Sequence, residues 1–88
     1  MRVSADCRDP GYLPYRRMAA RGLWPAVTLN GQAMKRVRTA DDDAGIVVVR
    51  LFEDGKPMRD DSGWPAYRTL HGNVEINFVP PAVLASEA

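Results

Sequence analysis

The side chains able to do chemistry in this 88-residue chain are few. Cys7 and His71 are its single cysteine and single histidine, and together they would make a nucleophile and a base. One cysteine closes no intramolecular disulfide, and one Cys with one His leaves a tetrahedral zinc site short of ligands. Neither residue has a motif around it, so they read as a free thiol and a surface or turn imidazole. Asp41-Asp42-Asp43 groups three carboxylates, but a calcium loop alternates its ligands and places glycine at its sixth position. Three consecutive aspartates are a solvated turn instead. Asp54, Asp60 and Asp61 lie in turn-rich, wet segments rather than in the pocket that acid–base chemistry needs. Gly55-Lys56 fails the phosphate-loop spacing: Pro57 follows it, and Arg50 stands where the first glycine is required. The G-x-S-x-G elbow is absent. No catalytic residue, metal ligand or cofactor follows, and the expectation is a protein that is not an enzyme.

Two constellations suit binding. Tyr12, Arg16, Arg17, Arg21 and Trp24, with Tyr15 among them, interleave aromatics and arginines, the combination that stacks bases while neutralising phosphates. In the competing reading, Tyr15 and Trp24 pin a helix to a sheet. The second constellation is Trp64, held between Gly63 and Pro65, with Tyr67 and Arg59 nearby. An exposed aromatic there would anchor a protein partner, whereas one folded inward would cap the core.

These residues need elements to carry them. Asp9-Pro10-Gly11 and Pro14 break regular structure, so residues 1–14 are expected to form an irregular arm. Pro14 suits the first position of a short helix over 15–22, with Gly22 as its left-handed terminator. Residues 25–79 read as strands. Asn30-Gly31 supplies the positive φ angles of a type I′ hairpin turn, and the parity change between Met34 and Val37 predicts a bulge near Lys35 or Arg36. Ile46 to Phe52 is apolar at both parities, which predicts a central strand. Asp54-Gly55 offers another turn, and Pro57 confines its neighbourhood to a loop or an edge. From Ala66 to Phe78 one parity is largely apolar, which predicts a single long strand bent at Gly72. Pro80-Pro81 stops it, leaving a tail over 80–88 that is frayed or packs on a neighbour. The expected class is mainly β (α+β): a small antiparallel sheet or partly closed barrel of four to five strands with one short N-terminal helix, in one domain.

The net charge of +1 hides an asymmetry: residues 1–40 carry +6 and residues 41–88 carry −5. Such a dipole would orient the molecule on a charged partner or on another copy, unless strands from both halves interleave. The acidic half and a sequence pI of about 7.9 rank nucleic acid below protein as a partner. A chain of this size buries only about 60–65% of its surface, so its stability is marginal and self-association a reasonable supplement. No run of about 18 apolar residues could span a bilayer, and Met1 to Asp6 lacks a signal peptide's apolar segment, so a cytoplasmic setting is expected.

Ser4-Ala5-Asp6, Asp9-Pro10-Gly11-Tyr12, Val27-Thr28-Leu29-Asn30-Gly31, Thr39-Ala40-Asp41, Gly45 and Leu70-His71-Gly72-Asn73-Val74-Glu75-Ile76 follow one another along most of the chain. In this succession the sequence resembles short proteins encoded by tailed bacteriophages and prophages of GC-rich bacteria. The resemblance implies a viral setting, in the host cytoplasm or on the virion, where small β-rich proteins decorate particles or block host factors. It carries no catalytic residue. The resulting expectation is a protein-binding module, first a virion accessory or decoration subunit, then an inhibitor of a host defence or regulatory protein, then a small nucleic-acid-binding barrel.

Overall fold

The structure, a computed structural model, describes residues 1–82. It is mainly β. In chain order its elements are β1 (Arg2–Ser4), α1 (Tyr12–Ala19), β2 (Trp24–Leu29), β3 (Gln32–Ala33), β4 (Val37–Asp41), β5 (Ile46–Arg50), β6 (Phe52–Glu53), β7 (Lys56–Pro57), β8 (Tyr67–His71) and β9 (Val74–Val79). They form antiparallel sheets in the orders β1-β4-β5-β8 and β3-β2-β9, plus a β6-β7 ribbon. The sheets do not close into a barrel. Val3, Ala40 and Val47 of the first sheet and Val27 and Val74 of the second make up the fully buried apolar core. Tyr15, Leu29, Val37, Val49, Ile76 and Phe78 pack around it half-buried.

Local turn chemistry sets much of this. Asn30 (φ 51°) and Gly31 (φ 81°) take the positive φ angles of the expected hairpin turn, and Asp54 (φ 51°) and Gly55 (φ 77°) repeat them between β6 and β7. β5 is central in its sheet, as its apolar run predicts. Gly22 (φ 75°) ends the helical segment, its N–H donating to Ala19 O while Leu23 N–H donates to Met18 O. The helix itself starts earlier than expected, at Tyr12 rather than Tyr15. Proline is tolerated anywhere in a first turn, where its missing N–H has no helical acceptor, and Tyr12 N–H is instead satisfied by Asp9 O.

Three expectations are corrected by pairing between distant parts of the chain. Residues 1–14 are not wholly irregular, because β1 pairs with β4 and buries Val3. The strand expected after Asn30-Gly31 is divided. β3 stays with β2, then Arg36 (φ 58°) turns the chain across so that β4 joins the other sheet, with a register shift between Val37 and Thr39. Residues 66–78 are likewise two strands, and Gly72 ends the first of them. Its position is tight: a Cβ there would lie 2.7 Å from Asn30 Oδ1 and 2.9 Å from Leu29 Cδ1. The tail is described only to Ala82, so the expectation for 83–88 lies outside the described residues.

The charge halves do interleave, since β1 and β4 share a sheet with β5 and β8, and β2 and β3 share one with β9. Arg2 Nε and Nη2 donate to Asp9 Oδ1 and Oδ2 at 2.8 Å each, and Arg2 also reaches Asp41 at 3.4 Å. Arg38 pairs with Asp6 at 3.0 Å. The Arg2 hydrogen bonds, aided by Gly11 N–H and opposed by burial, hold the Asp9 carboxyl down to about 2. An unfolded aspartate titrates near ~3.9, so the stabilisation from this group is complete above that pH and is lost as pH falls toward the folded value. Arg2 is one-third exposed, which screens the pair. Asp9→Asn should therefore cost about 1–2 kcal/mol at neutral pH and flatten the loss of stability between about pH 4 and 2. Urea unfolding across that range measures both, and an unchanged acid slope would count against the pairing.

Candidate functional site

The loop between β7 and β8 is built around one aspartate. Asp60 Oδ1 accepts the N–H groups of Ser62 (2.9 Å) and Trp64 (3.0 Å), while Asp60 N–H donates to Trp64 O at 2.7 Å. Gly63 takes φ 82° and donates its N–H to Asp60 O at 3.0 Å. Arg59 Nη1 donates to Gly63 O at 3.0 Å, and the Arg59 and Pro65 backbones bridge the loop's neck. Below the neck Ala66 N–H donates to Met58 O and Met58 N–H to Leu51 O, which ties the loop to the end of β5. The carboxylate of an Asx-type turn thus replaces a ladder where the chain is too tightly curved to have one.

Trp64 stands on this loop 71% exposed, the most exposed of the large hydrophobic side chains in the described residues. Its backbone is bonded on both sides, so little main-chain freedom is left to lose on binding. Beside the loop, a shallow depression of about 390 Å³ is lined by Glu53, Asp54, Lys56, Pro57, Met58 and Arg59. Met58 and Pro57 supply its apolar lining, and Glu53, Asp54, Lys56 and Arg59 bring charges of both signs. An exposed aromatic and a hollow lined by charges of both signs thus lie at the same end of the molecule.

The other two residues expected to accompany Trp64 have different duties. Arg59 is exposed but holds the loop through Gly63 O. Tyr67 is half-buried on β8, with the Arg38 guanidinium 4.4 Å and that of Arg50 5.7 Å from its ring centroid. Arg36 sits 3.9 Å over Phe52 in the same manner. Arg50 also donates to Met58 O at 3.1 Å, which links this arginine–aromatic layer to the loop. The layer was not legible in the sequence. Spacings of two, Arg36 to Arg38 and Arg50 to Phe52, were the available signal, but the partners come from strands whose pairing was unknown.

The residues of the alternative nucleic-acid site divide into two groups. Tyr12, Tyr15 and Trp24 contact one another in a chain, with centroids 6.4 Å and 6.1 Å apart, and each is half-buried. Tyr15 packs on the core, so these rings fasten α1 to β2. Arg16, Arg17 and Arg21 are exposed, the first two in the last helical turn, where their charge complements the helix dipole.

Cys7 and His71 are both exposed, on the loop after β1 and at the end of β8, and no hydrogen bond joins them. The Asp41, Asp42 and Asp43 carboxylates gather within 4.8 Å, and the protein itself engages them. Asp41 Oδ1 accepts from Asp43 and Ala44 N–H, and Asp42 and Asp43 pair with the Met1 ammonium. No protein-family model matches the chain, and neither a curated protein nor a solved structure matches it.

Proposed function

We propose that this chain is a non-catalytic protein-binding module whose contact residue is Trp64. The observation that carries the proposal is a tryptophan 71% exposed on a loop whose backbone is fixed by Asp60. A large aromatic is costly to leave in water, and rigid presentation lowers the entropic cost of burying it against a partner. The resemblance to small phage proteins supports a particle-associated role, as an accessory or decoration subunit. Inhibition of a host protein is the alternative use of the same surface.

The test pairs location with mutation. Mass spectrometry of virions purified from cells expressing the genome that encodes the chain should find it at stoichiometric level. Trp64→Ala should leave the unfolding midpoint nearly unchanged, because so little of the side chain is buried, yet lower particle association by about 10-fold or more, the effect of removing a hot-spot aromatic. Undiminished association of the Trp64→Ala protein would remove Trp64 from the contact. Absence from virions would move the reading to the host-protein inhibitor.

A further inference from the structure

Four strands form the edges of the two main sheets, and three of them are guarded. β3 has two residues. β1 has three, and Ser4 N–H, on its outward side, is already taken by Gly11 O at 3.0 Å. β8 carries Arg68 on the core-side parity opposite Val49, where its exposed charged side chain discourages edge pairing. β9 has none of these devices. It runs six residues with no proline, bulge or core-side charge, and among the described residues it pairs only with β2.

The hydrogen-bond alternation along β9 can be fixed. Asn30 N–H donates to Asn73 O at 2.8 Å in the register that sets Leu29 opposite Val74. Glu75, Asn77 and Val79 therefore turn their backbone groups toward β2, and Val74, Ile76 and Phe78 turn theirs away from it, Ile76 and Phe78 at the open edge and Val74 at its covered end. The same three residues direct their side chains to the core side, Val74 fully buried and the other two half-buried.

We propose that β9 pairs antiparallel with β9 of a second copy about a two-fold axis at Ile76, joining the two three-stranded sheets into one of six strands. In this register Ile76 faces Ile76, Val74 faces the second copy's Phe78, and each of these pairs exchanges both backbone hydrogen bonds. The outward residues then place Glu75 opposite the second copy's Asn77, so no like charges meet. Neighbouring registers fail. An axis at Glu75 sets two carboxylates face to face, and one at Asn77 sets Pro80, which has no N–H, opposite Val74. The strand is thus self-complementary in charge, in apolar pattern and in hydrogen-bond phase at a single register, which selects a second copy over an unrelated strand.

The experiment uses the full chain. Sedimentation should show a monomer at about 10 µM moving toward a dimer near about 1 mM, as a single edge contact allows. Amide exchange at Ile76 and Phe78 should slow over the same range, while Glu75 and Asn77 stay protected throughout. Asn77 is exposed, so its variants leave the monomer fold intact. Asn77→Lys should tighten the dimer about fivefold and Asn77→Glu should weaken it about fivefold, since each alters two symmetry-related pairs with Glu75. Added salt should leave the wild-type dimer in place, because backbone and apolar contacts hold it. A monomer at every concentration, a dimer without new protection at Ile76, a dimer dissolved by salt, or both Asn77 variants shifting affinity the same way would each overturn the proposal.

Discussion

Gly45→Ala should destabilise the domain by about 3 kcal/mol, whereas Gly55→Ala should cost only about 1 kcal/mol. Both glycines hold positive φ, 68° and 77°, so both substitutions incur the left-handed penalty of an L-residue. They differ in surroundings. A Cβ on Gly55 meets nothing within 4 Å, but one on Gly45 would lie 2.8 Å from Gly72 O. That oxygen belongs to backbone, and Gly72 N–H is itself bonded to Gly45 O at 3.0 Å, so relief requires moving the corner where β8 hands over to β9. Because that corner joins the two sheets, the strain reaches the core. For a domain of this size the difference of about 2 kcal/mol corresponds to roughly 8–16 °C in Tm. Equal midpoints for the two variants would mean that the close approach of Gly45 to Gly72 is not made in solution.

Val47→Ala is the other large effect expected, a loss of about 2–3 kcal/mol. Val47 is 0% exposed in β5 and has the largest side chain among the residues that are almost wholly buried. Among the described residues the fully buried apolar set is small, consisting of three other valines and Ala40, so few neighbours can move to fill the space that truncation leaves. Val48, the next residue, points to the opposite face beside Thr39 and Thr69 and is only half-buried. Val48→Ala should cost about 1 kcal/mol or less, since part of its surface already meets water. Chemical denaturation with a shared m-value distinguishes the two. A Val48 effect as large as that of Val47 would place a second apolar layer over the outer face of the sheet.

These two positions also separate what a sequence can disclose from what it cannot. The turns at Asn30-Gly31 and Asp54-Gly55, the helix stop at Gly22 and the mainly β class were legible because each depends on φ preferences or side-chain periods of a few adjacent residues. The apolar run from Ile46 likewise announced a central strand. Trp64 was legible as a candidate anchor by type alone. Its exposure was not, because the loop that turns it outward depends on Asp60 bonding across its own neck.

Tertiary structure decided which sheet each strand joins. Val74, Ile76 and Phe78 keep the parity of Leu70 through the Gly72 corner, since both sheets turn that parity toward one shared core. A two-residue alternation records which side of a strand meets the core, and it reads the same whether the chain continues in one sheet or crosses to the facing one. The pairing of β1 with β4, and of Arg2 with Asp9 and Asp41, was hidden for a related reason. A strand of three residues has no pattern of its own, and its ladder is completed by groups almost forty residues away that only the folded chain brings alongside.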